Sequence, residues 1–177
     1  RNRVYIFATT RKAPRTFDFS QESVKKSFLQ INGGSFARHK NVLDVLHKRV
    51  PAKYYLSERI KKTVLNNGTG GYVAKSEIDL NLARPLCATM AKMHRACQDN
   101  YFSEGFILSK GKKRYCGGVL ECTDVPIRRL LPEEAFALQG FDESFVRNAR
   151  EMYGVSDSSL YKQAGNAVSV NVVYVIL

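Results

Sequence analysis

Tyr161-Lys162-Gln163-Ala164-Gly165-Asn166-Ala167-Val168-Ser169-Val170-Asn171-Val172-Val173-Tyr174-Val175-Ile176-Leu177 runs a polar stretch straight into an apolar tail. Gly165-Asn166 reads as a turn pair, because both residues tolerate positive φ, and Asn166 can cap a following helix with its side-chain oxygen. The tail must be buried. Val168, Val170 and Val172 alternate with Ser169 and Asn171, and β-branched residues dominate, so propensity alone predicts a strand over residues 168–176.

With 177 residues the chain suits one domain with a sizeable core and a small appendage. Lys and Arg outnumber Asp and Glu by 28 to 16, giving a net charge of +12 and a pI near 9.7, which suits a polyanionic partner such as nucleic acid. Ribosome or membrane-surface contact is the other reading of such a charge. No apolar stretch approaches the roughly 20 residues of a membrane span, and no signal peptide is visible, so the expected compartment is cytoplasmic. Cys87, Cys97, Cys116 and Cys122 form no Cys-x-x-Cys pair, and His39, His47 and His94 are scattered. Reduced, partly buried thiols and no metal site are expected. The chain begins without methionine and ends in an apolar run, and so reads as a subunit or an excised piece of something larger.

Three motifs carry a resemblance. Tyr161-Lys-Gln-x-Gly-Asn-Ala-Val168 is similar to the last motif of the cytosine-5 DNA methyltransferases. Arg128-x-Leu-x-Pro-x-Glu134-x-x-x-Leu-Gln139-Gly140-Phe141 resembles their penultimate motif, and Arg1-x-Arg3-Val-Tyr-Ile6 resembles the end of their Gln-x-Arg-x-Arg strand. The three stand in family order from the first residue to the last. The resemblance implies the C-terminal part of a bacterial enzyme. Its fold is α+β: a small, mainly β and irregular target-recognition domain with short helices, and a C-terminal helix that packs back on a catalytic α/β domain absent from this chain. Residues 1–12 would end a catalytic-domain strand, 13–150 would form the recognition domain, and 151–177 would return to the catalytic domain. On this ground residues 168–176 are expected to be a helix, against their propensity.

The resemblance also implies roles. Residues 3–9 read as a strand, and its two leading arginines are ordinarily surface charges. In the family, the arginine matched by Arg3 donates hydrogen bonds to O2 of the flipped cytosine, where charge gathers when a thiolate adds to C6. Arg1 supports it. Asn166 and Ala167 would close the S-adenosylmethionine pocket from one side. Arg128, Glu134, Gln139 and Gly140 would brace the recognition region. Pro132 suits the first position of a helix that Gly140 ends, with Glu133 and Glu134 in its first turn. The family usually has proline after the aromatic residue of this motif, where this chain has Asp142. Ser156 or Asp157 can start the last turn before Tyr161.

Between these motifs the residues permit several readings. Residues 11–35 are basic and turn-rich, with Phe17, Phe19, Phe28 and Leu29 as candidate packing residues. Val42 to Leu46 can form a short helix that Pro51 stops. Ser57 can cap a helix bearing Ile60, Val64 and Leu65 on one face, its lysines facing solvent or phosphate. Asn66 to Tyr72 is a glycine-rich loop without the lysine of a phosphate-binding loop. It is a plain surface loop or, by resemblance, a first recognition loop that brings Gly68, Thr69, Gly70 and Gly71 to duplex DNA. Arg84 to Arg95 resembles the second recognition loop, with Thr89 on phosphate. Lys92, His94, Arg95 and Gln98 then offer donors for guanine edges or phosphates, or are simply solvated. Residues 101–119, with a basic turn at Lys110–Arg114, predict a hairpin.

Methyl transfer to cytosine C5 also needs a nucleophilic cysteine, which in the family follows a proline, and a cofactor pocket with a glycine-rich turn. The four cysteines follow Leu86, Ala96, Tyr115 and Glu121, so the nucleophile is expected elsewhere. The function implied is target recognition for a double-stranded-DNA cytosine-5 methyltransferase, in a restriction-modification setting, completed by a catalytic half in the same polypeptide or a separate subunit. A non-catalytic, sequence-specific DNA-binding protein derived from the family is the alternative. An upstream Pro-Cys in the encoding sequence separates the two.

Overall fold

The computed structural model describes residues 20–30, 39–69, 71–115 and 124–176, without the side chains of Phe28, Thr69, Val175 and Ile176. Arg1, Arg3, Phe17, Phe19, Gly70, Cys116 and Cys122, and the strand expected over residues 3–9, lie outside it.

The C-terminal third forms a helical layer. Pro132 starts α4 (Pro132–Leu138), where its missing N–H costs nothing and its fixed φ suits the first turn. Gly140 takes φ +87 just beyond the last turn. Asp142 then accepts from Ser144 N at 2.9 Å and caps α5 (Glu143–Tyr153), so the departure from proline is a change of helix start. Ser156 caps α6 (Asp157–Asn166) by accepting from Ser159 N. Helices α5 and α6 both pack on α4. After a break at Ala167–Ser169 the chain enters α7 (Val170–Ile176). The tail is therefore helical. Val170 N donates to the Gln139 carbonyl at 2.9 Å, a tertiary tie that sequence periodicity cannot register.

Gly165-Asn166 is not a turn pair. Both residues lie in the last turn of α6, and Asn166 does not directly precede α7. Gly165 is buried because α6 runs against the backbone of Cys87 and Ala88: a Cβ there would sit 2.2 Å from Ala88 N and 2.2 Å from Cys87 C. The glycine serves close approach rather than positive φ.

The middle of the chain is irregular, with short helices and two small sheets. α1 (Gln21–Gln30) is a surface helix that touches α7, and Leu29 is exposed rather than packed. Single 3-10 turns stand at Val42–Asp44, Ala52–Tyr54 and Met90–Lys92. α2 (Glu58–Val64) begins after Ser57, whose side chain makes no capping bond. Lys61 does not face solvent. It is buried, with Glu58 at 2.7 Å. β1 (Gly68–Thr69) and β2 (Tyr72–Val73) form one antiparallel pair, and β3 (Tyr101–Ser103) pairs with β4 (Ile127–Arg129). The hairpin expected over residues 101–119 is absent from its described part. Ser103 Oγ accepts from Phe106 N and turns the chain into α3 (Glu104–Leu108), which buries Phe106 and Ile107. Strand content among the described residues is thus smaller than expected.

One apolar core joins Val42, Tyr54, Met90, Phe102, Phe136 and Leu160 with their neighbours, and a second gathers Leu56, Val64, Ile78, Tyr101 and Ile127. Cys87 is an exposed and Cys97 a half-buried free thiol. Among the described residues no cluster of His, Cys, Asp and Glu is arranged to hold a metal, and no helix is long and apolar enough to cross a membrane.

Candidate nucleic-acid interface

The site is built outward from one buried ion pair. Arg128 and Glu134 are 1% and 0% exposed and face each other with two parallel bonds of 2.8 and 2.7 Å. Charges taken from water must have their remaining valences met. Here they are: Arg128 also donates to the carbonyls of Arg129 and His47, while Glu134 accepts from His47 N and Leu131 N. The pair locks β4, the start of α4 and the 47–56 segment together, helped by the Leu56 N to Ile127 carbonyl bond. Gln139 donates to the Ala164 carbonyl, and Gly140 lies where any Cβ would strike the Asn171 side chain at 2.9 Å. The four expected bracing residues therefore hold two contacts: Arg128 and Glu134 the sheet, Gln139 and Gly140 the junction of α4, α6 and α7.

On this frame sits the segment from Thr89 to Gln98. α6 packs directly on its 3-10 turn. Thr89, Lys92 and Gln98 are exposed, and His94 and Arg95 half-buried. Met93 takes φ +53, which swings the chain out of the 3-10 turn. The segment closes on buried Asp99, which accepts from His94 N at 3.2 Å, while Tyr101 donates its hydroxyl to the His94 carbonyl. Burial pushes the Asp99 carboxyl up, partly offset by His94. Ala96 N donates to the Val64 carbonyl at 2.8 Å, pinning the segment to α2. The result is a loop of exposed donors on a fixed backbone.

The other sequence-expected residues are more scattered. Gly68 and Thr69 belong to β1 and Gly71 is exposed beside β2, whose Tyr72 and Val73 are also exposed. Asn67 ties the base of this hairpin by accepting from Ser76 N, and its carbonyl accepts from Ala74 N. Asn166 is exposed and Ala167 half-buried at the end of α6. They are joined to the loop region through Gly165, which touches Cys87 and Ala88.

Two residues were not anticipated. Asp79, fully buried, accepts from Ser103 N, Ser103 Oγ and Tyr115 N, and so ties its own segment and that of Tyr115 to β3. Arg129 has its guanidinium 5.3 Å from the Tyr161 ring centre and 5.7 Å from that of Tyr54. Neither belongs to a local pattern: the nearest of these partners, Ser103 to Asp79, is 24 positions away and the others are farther.

The family model for C-5 cytosine-specific DNA methylases matches residues 1–177. The orphan methyltransferases M.Rho11sI of Bacillus phage rho11s and M.SPRI of Bacillus phage SPR are each 50% identical to the chain over 46 residues, 26% of this chain and 9% and 10% of theirs. The matched stretch is thus about a tenth of those relatives. A solved structure, the methyltransferase EhMeth of Entamoeba histolytica, overlaps 78% of this chain and 39% of its own with a TM-score of 0.56 at 15% identity. At that identity the likeness concerns fold alone.

Proposed function

Since this chain belongs to the C-5 cytosine-specific DNA methylase family, we propose that it is the DNA-recognising part of a cytosine-5 methyltransferase acting on a flipped cytosine in a specific duplex sequence. The observation that carries the reading is the Thr89–Gln98 loop. Its exposed Thr89, Lys92 and Gln98 project from a backbone fixed by Asp99, Tyr101 and Val64, an arrangement suited to reading groove edges and phosphates.

In this reading Thr89 holds phosphate, Lys92, His94, Arg95 and Gln98 divide base and phosphate contacts, and the Gly68–Gly71 hairpin approaches the backbone. Arg3, supported by Arg1, donates to cytosine O2 as negative charge develops there. Residues 1–12 and 151–177 belong with the catalytic domain, and 13–150 recognise DNA. Asn166 and Ala167 fit a contact to S-adenosylmethionine, since an exposed side-chain amide and a half-buried alanine stand at the end of α6. That cofactor supplies the methyl group. A restriction-modification setting completes the proposal.

The test is to mix the chain with a separately expressed catalytic part and follow labelled methyl transfer to duplex DNA. The mixture is expected to transfer and the chain alone to be inert. Methylation-site profiling of Lys92→Ala, His94→Ala, Arg95→Ala and Gln98→Ala should show an altered sequence preference in at least one. Four unchanged profiles would remove the loop from recognition. Absence of transfer by an associated mixture would favour the non-catalytic DNA-binding reading.

A further inference from the structure

Arg129 ends β4, directly opposite Tyr101 of β3. Its guanidinium lies over the rings of Tyr161 and Tyr54, and Nη1 reaches the carbonyl of Ala91 at 3.4 Å. It also lines a small cavity whose other walls are Leu86, Cys87 and Met90 from the entry of the 89–98 loop and Asp99, Asn100 and Tyr101 from its exit. Asp99 and Tyr101 are the residues that hold the two backbone groups of His94. One cation therefore stands beneath the loop, bonded to its entry and facing the residues that fix its exit.

The chemistry is particular to arginine. A planar, permanently charged guanidinium can stack on an aromatic face while its edge donates, which an ammonium cannot reproduce. The Nε is buried without an acceptor among the described residues, a cost that an apolar side chain of similar volume would avoid. It is the donor fork, rather than the bulk, that reaches the loop at Ala91. Tyr161 is in turn fixed, its hydroxyl donating to the Leu130 carbonyl, so the surface on which Arg129 rests does not shift.

We propose that Arg129 is a positioning residue for sequence discrimination, which holds the Thr89–Gln98 loop in its reading conformation from below through the Ala91 carbonyl and the loop's exit residues. The proposal rests on the reading of that loop as the DNA-contacting surface. Arg129 itself touches no DNA, and its effect is transmitted by the loop backbone.

The experiment compares wild type, Arg129→Lys and Arg129→Gln in the assembled methyltransferase on preferred and single-base-changed duplexes. In Arg129→Gln the ratio of kcat/KM between preferred and changed duplexes should fall about tenfold, the scale of one lost base discrimination. Arg129→Lys should recover part of it, keeping the charge over the rings without the fork. An unchanged ratio, or an equal loss on every duplex, would overturn the proposal. Amide exchange of the 91–98 segment supplies a second readout that needs no catalysis. Exchange should quicken in Arg129→Lys, the milder variant, while α4 and α5 keep their protection. Unchanged exchange in the loop, or quickening throughout the molecule, would overturn positioning. Failure of the wild-type assembly to methylate any duplex would instead sink the functional reading, with the exchange result still deciding whether Arg129 holds the loop.

Discussion

Arg128 and Glu134 leave almost nothing of each other unbonded, so removing either strands a buried charge. Arg128→Met or Glu134→Leu alone should cost about 3–5 kcal/mol of stability. The double variant Arg128→Met/Glu134→Leu should cost less than either single change, because no unpaired charge remains. Urea unfolding of the three variants measures this, and additive losses would contradict it. Asp79 gives a pH-dependent counterpart. Burial raises its carboxyl above the ordinary value of 3.8, although the bonds from Ser103 and Tyr115 and the charge of Arg114 act the other way. The folded state then binds this proton more readily than the unfolded one, so its contribution to stability falls as pH rises from 3.8 through the raised folded value. Asp79→Asn, tolerated at φ +58, should flatten that part of the stability profile. Asp99 shares the direction, so the difference between variant and wild type is the quantity to read. Arg128 and Glu134 were legible because they sit six residues apart in a motif. Asp79 and Arg129 were not, because what makes each important is a partner brought near only by folding.

Among the elements, α6 shows how one glycine can be read correctly as special and wrongly as to why. A Gly→Ala change within a helix normally stabilises by up to roughly 1 kcal/mol. At Gly165 the added methyl meets the Cys87–Ala88 backbone, which cannot yield as a side chain end would, so Gly165→Ala should destabilise by about 1–3 kcal/mol or more. At Gly105 of α3 the same methyl would find only the Tyr115 ring, at 3.4 Å, and Gly105→Ala should be neutral or mildly stabilising. Thermal unfolding of the two variants checks the contrast; equal effects would mean that α6 does not rest on that backbone. The N-terminus of α6 is held differently. Asp157 accepts from Lys53, Tyr54 and Arg150, and Arg150 also pairs with Glu133, joining α5 to the start of α4. Helix α4 and the start of α6 were legible from a proline and a cap that act within one turn, whereas α5, which Asp142 caps, was not read from the sequence. The hairpin pattern of 101–119 misled, and the strand pattern of 168–176 would have done so had the resemblance not overridden it, because short apolar runs fit either geometry and tertiary ties decide. For α7 the tie is the Gln139 carbonyl, and for α3 it is the cap by Ser103, whose orientation Asp79 fixes.

At the scale of the molecule, a net charge of +12 sets the form that the proposed DNA binding should take. The logarithm of affinity should fall linearly with the logarithm of salt concentration, at about −0.9 per phosphate neutralised. Titration of a labelled duplex from low to moderate salt measures it, and a flat dependence would remove phosphate contact from the account. Val170, Val173 and Tyr174, at i, i+3 and i+4 of α7, remain partly exposed on one face, the kind of surface that the proposed catalytic domain would cover. The buried pair has one more consequence, and it concerns time. Its acceptor at His47 lies 81 positions from Arg128, and the strand bridge between Tyr55 and Arg128 spans a similar distance. Contacts so far apart must close a long stretch of chain before they return any energy, and such closures slow folding. Until Glu134 has arrived, the place reserved for the guanidinium is a penalty rather than a gain. The tie of the 47–56 segment to β4 therefore cannot form until a ribosome has added residues 128–134, which makes it a late event of synthesis.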